Sequence, residues 1–446
     1  MKMRRPAAVI AGVMLIAGGG AATARSAMAH ANAARMRRTA DAVRAAAEVR
    51  AAEAARRDAD VRFFEARVAQ DPFGAADRAR LAGLYLQRAR ETGEYDGYLR
   101  AEAAARASLG ARGERNAAAR VALAGALMAR HRFAEARSVA DSLVAGEPER
   151  ASYRSLLGEL QMELGDYDAA RATFGSLLSE RGNLGVAPRL ARWMEMTGRT
   201  NDARTLLYQA AHDAAARGDL PAEQVAWFRM RVGDLELRNG RLDAAEAAFR
   251  AGLAIHPEDY RLLGEMAKLA AARGEWAAAL ALGERAIGQV LDPATLAVMS
   301  DAALASGDTA KSEEYARVME VSVRGQTRAL HRGWGLFLLD RGRRIDAVAA
   351  QAQADLRARR DVYGWDLLAW ARHRQGRDAE ARAAMAQALR LGTRDAQLLY
   401  HAGMIEHALG DDAAAERHLR DALAIAPEFH PLQVRAARAV LDSIRG

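Results

Sequence analysis

The sequence predicts an all-α protein, an α-solenoid of about ten helix-turn-helix units closed by a C-terminal helix. Three observations carry that reading: a 34-residue period, small residues fixed at two places in it, and the absence of strand-like alternation. The period is plainest in residues 362–395 and 396–429, which can be laid on one another. In the first stretch Trp365, Leu368, Ala369, Gly376, Ala381, Met385 and Ala388 stand at unit positions 4, 7, 8, 15, 20, 24 and 27. In the second those positions hold Leu399, Ala402, Gly403, Gly410, Ala415, Leu419 and Ala422, with Pro427 at position 32. Small residues at 8 and 20 let two antiparallel helices approach closely, and larger apolar residues at 4, 7 and 24 fill the space beside them. Glycine at 15 supplies the positive φ that ends the first helix, and proline at 32 stops the second.

The chain begins differently. Lys2, Arg4 and Arg5 precede an uncharged run over residues 6–24, and small-x-small sites follow at Ala22-Thr23-Ala24 and Ala27-Met28-Ala29. A basic start, a short apolar middle and a small-residue exit predict a secretory signal peptide over 1–29, with an uncleaved membrane anchor as the rival. Gly18, Gly19 and Gly20 weaken the run as a membrane helix and favour cleavage. Either way the rest of the chain is expected outside the cytoplasm, periplasmic or tethered to the membrane. Residues 30–74 are rich in Ala and Arg and read as a helical connector that becomes the N-terminal cap. Arg35, Arg37 and Arg38 within it offer contact with anionic lipid or an acidic partner.

From Ala75 onward, unit starts fall near 75, 117, 151, 184, 226, 260, 293, 328, 362 and 396. Position 8 of the nine units from 117 holds Ala124, Gly158, Ala191, Gly233, Ala267, Ser300, Gly335, Ala369 and Gly403, all small. Position 20 holds Ala136, Ala170, Ala203, Ala245, Ala279, Ser312, Ala347, Ala381 and Ala415, and position 15 is Gly in eight of the nine, with His131 the exception. Two stretches depart from the period. Arg90 to Tyr98 is expected to lengthen a turn within the first unit, and Gly218 to Val225 the exit of the fourth. Residues 430–446 place Val434, Ala437, Val440 and Leu441 on one face, a polar-backed helix suited to sealing the last apolar surface.

In period and residue order these units resemble the tetratricopeptide repeat, over about residues 75–429. The resemblance implies a right-handed superhelix whose first helices line a concave face, so that unit positions 2, 5, 9, 12 and 13 meet a ligand. In the last two units those positions include Tyr363, Asp366, Trp370, His373, Arg374, Tyr400, Met404 and His407. An aromatic at 365 belongs to the motif's own core, whereas Trp370 does not, and Trp370 beside Tyr400 marks the expected partner surface. Packing of both rings between neighbouring units is the competing outcome. A second, mixed-charge cluster comprises Arg189, Arg192, Met230, Asp234 and Lys268. The carboxylate clamp known in the family uses Lys at position 5 and Asn at position 9. Position 9 has no Asn here, which argues against that mode.

The expected function is a non-catalytic scaffold that binds another protein or peptide along the concave face. A glycan- or lipid-binding module is the alternative, and an enzyme with residues in the 90–98 or 218–225 stretches the less favoured one. The ten histidines show no metal-ligand spacing, and no phosphate-binding loop, dinucleotide fingerprint or nucleophile elbow occurs. No cofactor or metal is therefore expected. The absence of cysteine excludes disulfides and thiolate nucleophiles. A formal charge of +8 reflects arginines spread along the chain rather than a stripe with interleaved aromatics, so nucleic acid is not an expected partner.

Overall fold

The computed structural model describes residues 41, 44–324 and 332–445. The signal segment 1–29 and Arg35, Arg37 and Arg38 lie outside the described residues. The chain forms two units, residues 1–52 and 53–446. In the first, the described residues 41 and 44–52 are helical. The second is an all-α solenoid, with no strand among the described residues.

Its first helix, α1, covers residues 53–70, with Val61 buried against Leu81, Leu84 and Tyr85. Ten helix pairs follow: α2 (Ala75–Thr92) with α3 (Tyr95–Ala111), α4 (Ala117–Ala129) with α5 (Phe133–Gly146), and α6 (Ala151–Leu164) with α7 (Tyr167–Gly175). Next come α8 (Ala187–Met196) with α9 (Thr200–Ala215), α10 (Ala222–Arg238) with α11 (Leu242–Ile255), and α12 (Tyr260–Ala272) with α13 (Trp276–Ile287). The last four pairs are α14 (Pro293–Ala305) with α15 (Thr309–Arg324), α16 (Arg332–Asp340) with α17 (Ile345–Asp355), α18 (Val362–Arg374) with α19 (Asp378–Ala388), and α20 (Ala396–Ala408) with α21 (Asp412–Ile425). Helix α22 (Gln433–Arg445) buries Val434, Ala437 and Leu441 on the end of the stack.

Each pair is held by the contact its small residues permit. A Cβ added at Gly233 would lie 2.3 Å from the Phe249 ring, and one at Gly403 2.6 Å from Leu419 Cγ. Position 8 is thus small because position 24 occupies its space. His131 takes φ 55° where the other units have glycine, so the turn is kept at the expense of a strained side-chain position. The eighth unit slips by one residue. Arg344 adopts a left-handed φ of 53° and adds to the turn, so Val348, not Ala347, is buried there.

The superhelix is wound tightly enough to meet itself. The Arg360 N–H donates to the Leu164 carbonyl at 3.1 Å, the Val362 N–H to the Tyr167 hydroxyl at 2.7 Å, and the Thr393 hydroxyl to the Met196 carbonyl at 2.7 Å. Gly240 likewise approaches the Ile425 carbonyl, and Gly93 the Val290 side chain. The turn of one unit therefore meets the exit of the unit five further on. Gly165, at φ 79°, shows how closely: a Cβ there would stand 2.3 Å from the Arg360 carbonyl oxygen.

Candidate functional site

Tight winding decides what becomes of the inner face. In units seven to ten it is filled. Asp366 is fully buried, its Oδ2 accepting from Arg332 Nη2 at 2.6 Å and its Oδ1 lying 2.7 Å from His401 Nδ1. Burial alone would raise this carboxyl, but His401 and then Arg332 hold it below the ordinary aspartate range. Trp370 is 3% exposed; its Nε1 donates to Asp340 at 2.9 Å, and its ring stacks with His401 at 4.3 Å and His373 at 4.8 Å. Tyr400, 4% exposed, leans on Trp370 and on Phe429. The end cap closes over them. Gln433 donates to Asp340 Oδ2 at 2.9 Å, and His430 Nε2 lies 3.3 Å from Asp301 Oδ2.

Trp370 and Tyr400 are consequently core residues, and the expectation that they form an open partner surface is corrected. The physical reason is the small radius of the inner face, which brings the first helices of units seven to ten and the cap into mutual contact. Asp366 is likewise an internal ion-pair partner. Of the remaining residues of that set, His373 is bonded to Asp378 and His407 to Asp412, Met404 is half-buried, and Arg374 is exposed. They do not converge on a common site.

The middle units keep an inner face that solvent reaches. Arg192 bonds Glu195 at 3.0 Å, Arg238 links Glu195 at 2.8 Å to Asp234 at 3.2 Å, and Arg231 completes the set with Asp234 at 2.7 Å. Enclosure would raise Asp234, yet Arg238 and Arg231 hold it at about 2. Arg189 and Lys268 stand apart from this set, paired with Glu159 at 2.5 Å and with Glu265 at 3.8 Å. The two clusters that the sequence suggests are separate are joined through Tyr363, whose ring has Arg192 at 5.3 Å and Arg332 at 4.8 Å.

Tyr363 and Arg332 also border a cleft of about 500 Å³ where successive turns of the superhelix meet. Its wall comes from the 131–135 turn, the end of α6, and residues 352–367, with Phe133, Leu164, Leu356 and Leu367 providing apolar surface. Arg359 crosses it, bonded to the Glu163 carboxylate at 2.6 Å and set over the Phe133 ring at 4.7 Å. Arg332 Nε has no hydrogen-bond partner among the described residues. Apart from Tyr363, these residues escape sequence reading because they come from the second and third units on one side and the eighth and ninth on the other, and share no spacing along the chain.

The two departures from the period also meet across the superhelix. The first does not lengthen a turn: only Gly93 and Glu94 separate α2 from α3, and the extra residues extend both helices. The second supplies the first turn of α10. Its Glu223 is 2% exposed, bonded to Arg261 at 2.9 Å and 4.0 Å from Arg90 of the first departure. Arg261 is held in turn by Asp259 at 2.7 Å.

The architecture defines a class, the α-solenoids built from stacked helix-turn-helix units. Within it, three stretches match models described as tetratricopeptide repeat, residues 121–183, 226–269 and 396–429. These stretches of the chain are tetratricopeptide repeats. Similar solved structures include the APC/C hetero-tetramer Cut9–Hcn1, with 14% identity and a TM-score of 0.47 over 83% of this chain and 63% of that one. A tetratricopeptide repeat protein from Parabacteroides merdae shares 16% identity, TM-score 0.34, over 61% of this chain and 99% of its own. PilW, described as a widely conserved type IV pilus biogenesis factor, shares 16%, TM-score 0.40, over 50% and 99%. No curated protein matches the sequence.

Proposed function

We propose that the protein is a non-catalytic scaffold of the cell envelope that binds a partner protein in the cleft between residues 131–135 and 352–367. Repeats of this family generally mediate protein–protein interaction, which supports the scaffold reading. The observation that carries the choice of surface is the cleft itself: about 500 Å³ of largely apolar wall beside the Arg332 guanidinium. An apolar side chain of the partner fills the space between Phe133 and Leu356, and a carboxylate near it engages Arg332. Export is supported by Lys2, Arg4 and Arg5 before the uncharged run and by the small-residue sites after it. No helix among the described residues is long and apolar enough to cross a membrane. The glycan or lipid reading rested on the Trp370 and Tyr400 rings, and their burial removes that support.

Ala354 and Ala358 are exposed on the cleft wall and allow a test that spares the core. A photo-crosslinking residue at 358 in the native envelope is expected to trap one protein, and Ala354→Trp to abolish the adduct without altering the melting curve. Equal crosslinking to that protein from Asp168, on an outer helix, or an adduct indifferent to Ala354→Trp, would contradict this site.

A further inference from the structure

The seam where successive turns meet carries a row of arginines that the cleft does not use. Inside the cleft the charges are matched, with Arg359 holding Glu163 at 2.6 Å and Asp361 at 2.7 Å. Along the seam beyond it, Arg360, Arg390, Arg171, Arg199 and Arg394 are all exposed. Arg390 donates to the carbonyls of Gly165 at 3.3 Å and Arg360 at 3.0 Å and lies 4.7 Å over the Tyr167 ring, so it joins units three, eight and nine. Arg171 stands one helical turn beyond Tyr167 on α7, and it shares with Arg199 a pocket whose wall holds no carboxylate. Arg394 ends the row, its Cγ 4.0 Å from where a Cβ on Gly198 would stand, next to Arg199.

None of the five is paired with a carboxylate among the described residues. Of the acidic residues near them in sequence, Asp166 is taken by Arg137 at 3.1 Å, Asp361 by Arg359, and Asp395 caps α20. Asp168 and Asp202 remain, both exposed and in no ion pair among the described residues, so the row keeps an excess of positive charge. The aromatic residues beside it, Tyr167, Phe174 and Trp193, are buried, which leaves no ring for stacking a nucleic-acid base. The row is continuous with the cleft, because Ala134, Leu164 and Ala358 border both the cleft and the shallow pocket that Arg360 lines. Resting on the scaffold reading, we propose that the partner seated in the cleft continues along the seam as an acidic peptide segment, its carboxylates taken by these five arginines. The apolar cleft anchors the partner, and the row selects it by charge and fixes its direction.

A dye-labelled octaglutamate peptide, titrated into the full chain and followed by anisotropy, tests the row apart from the cleft. Saturable binding that weakens as salt rises is expected. Arg171→Gln, Arg199→Gln and Arg394→Gln combined should weaken it at least tenfold. A control triple, Arg62→Gln, Arg80→Gln and Arg112→Gln at the N-terminal end of the solenoid, should cost less than twofold. All six side chains are exposed, so both variants should keep the parent melting curve. The crosslinked adduct at 358 should fall at least tenfold in the seam triple and persist in the control. No saturable octaglutamate binding, or equal loss in the two triples, overturns the proposal. So does co-sedimentation with phosphatidylglycerol vesicles that the seam triple abolishes while octaglutamate fails to bind, since the row then takes lipid phosphate. An adduct indifferent to Ala354→Trp, beside octaglutamate binding lost in the seam triple, would fault the cleft and keep the row; the reverse pattern would fault the row alone.

Discussion

The inner face of units seven to ten and that of units four and five are built from the same helix positions and end in opposite states. In the first, Trp370, Tyr400 and His401 stack into a core and the fully buried Asp366 takes both Arg332 and His401. In the second, Arg192, Glu195, Asp234 and Arg238 satisfy one another, while side chains such as Arg238 keep 26% of their surface accessible. The difference lies in what stands opposite. Aromatic residues bring the apolar area that rewards closing, and the cap supplies Gln433 and His430 to meet Asp340 and Asp301. Charged residues hold the space open because their removal from water is costly. An aromatic outside the repeat's own core positions thus reports a closed superhelix in this chain, not a ligand surface.

Truncating one side chain on each face separates the two states most clearly. Trp370→Ala should destabilise by about 3–5 kcal/mol in urea denaturation, the range for a large buried aromatic. Lys268→Ala, on the accessible face, should change the midpoint by no more than about 0.5 kcal/mol. Asp366→Ala is expected to cost about 3–5 kcal/mol as well, because it strands Arg332 and His401 together. If Trp370→Ala is as mild as Lys268→Ala, the face is open and the ring is a surface residue.

Closure can next be attacked from the other side of the superhelix. Gly165→Ala combines a left-handed φ with a 2.3 Å approach to the Arg360 carbonyl, so about 1–3 kcal/mol should be lost. Gly410→Ala, also at positive φ but with no neighbour within 4 Å, isolates the conformational part. The excess of the first over the second measures the seam.

Much of this fold was legible because each unit repeats its own packing rule. Gly233 against Phe249 and Gly403 against Leu419 are local pairs, and their spacing is visible in the chain. The candidate site was not legible, for a physical reason. Phe133, Leu164 and Leu356 meet only because the superhelix turns once in about five units, and that pitch is set by small angles at every interface rather than by any residue. The departures at 90–98 and 218–225 did carry a signal. They mark where the turns are joined, by Arg90, Glu223 and Arg261, rather than loops free in solvent.

The smallest expected effect concerns pH. Burial would lower the His430 imidazole, but its contact with Asp301 raises it above the usual value. A histidine raised on folding adds stability that is complete below about pH 6.5, its ordinary value, and is lost as pH rises through the folded value. His430→Gln should therefore flatten the fall in melting temperature across neutral to mildly alkaline pH, by the equivalent of about 1 kcal/mol or less. Asp366 is the opposite case, its stabilisation present above the ordinary aspartate value and lost below it, so Asp366→Asn should blunt acid unfolding.

The central claim is that the superhelix closes on itself, and the chain's lack of cysteine makes that directly measurable. Asp166 and Arg360, from units three and eight, line one shallow pocket with Gly165. With both replaced by cysteine, a short bismaleimide should link them within a single native molecule and fail to do so in urea. A doubly modified protein that stays unlinked, while its helical content and melting curve match the parent, would contradict closure and reopen the inner face as a groove.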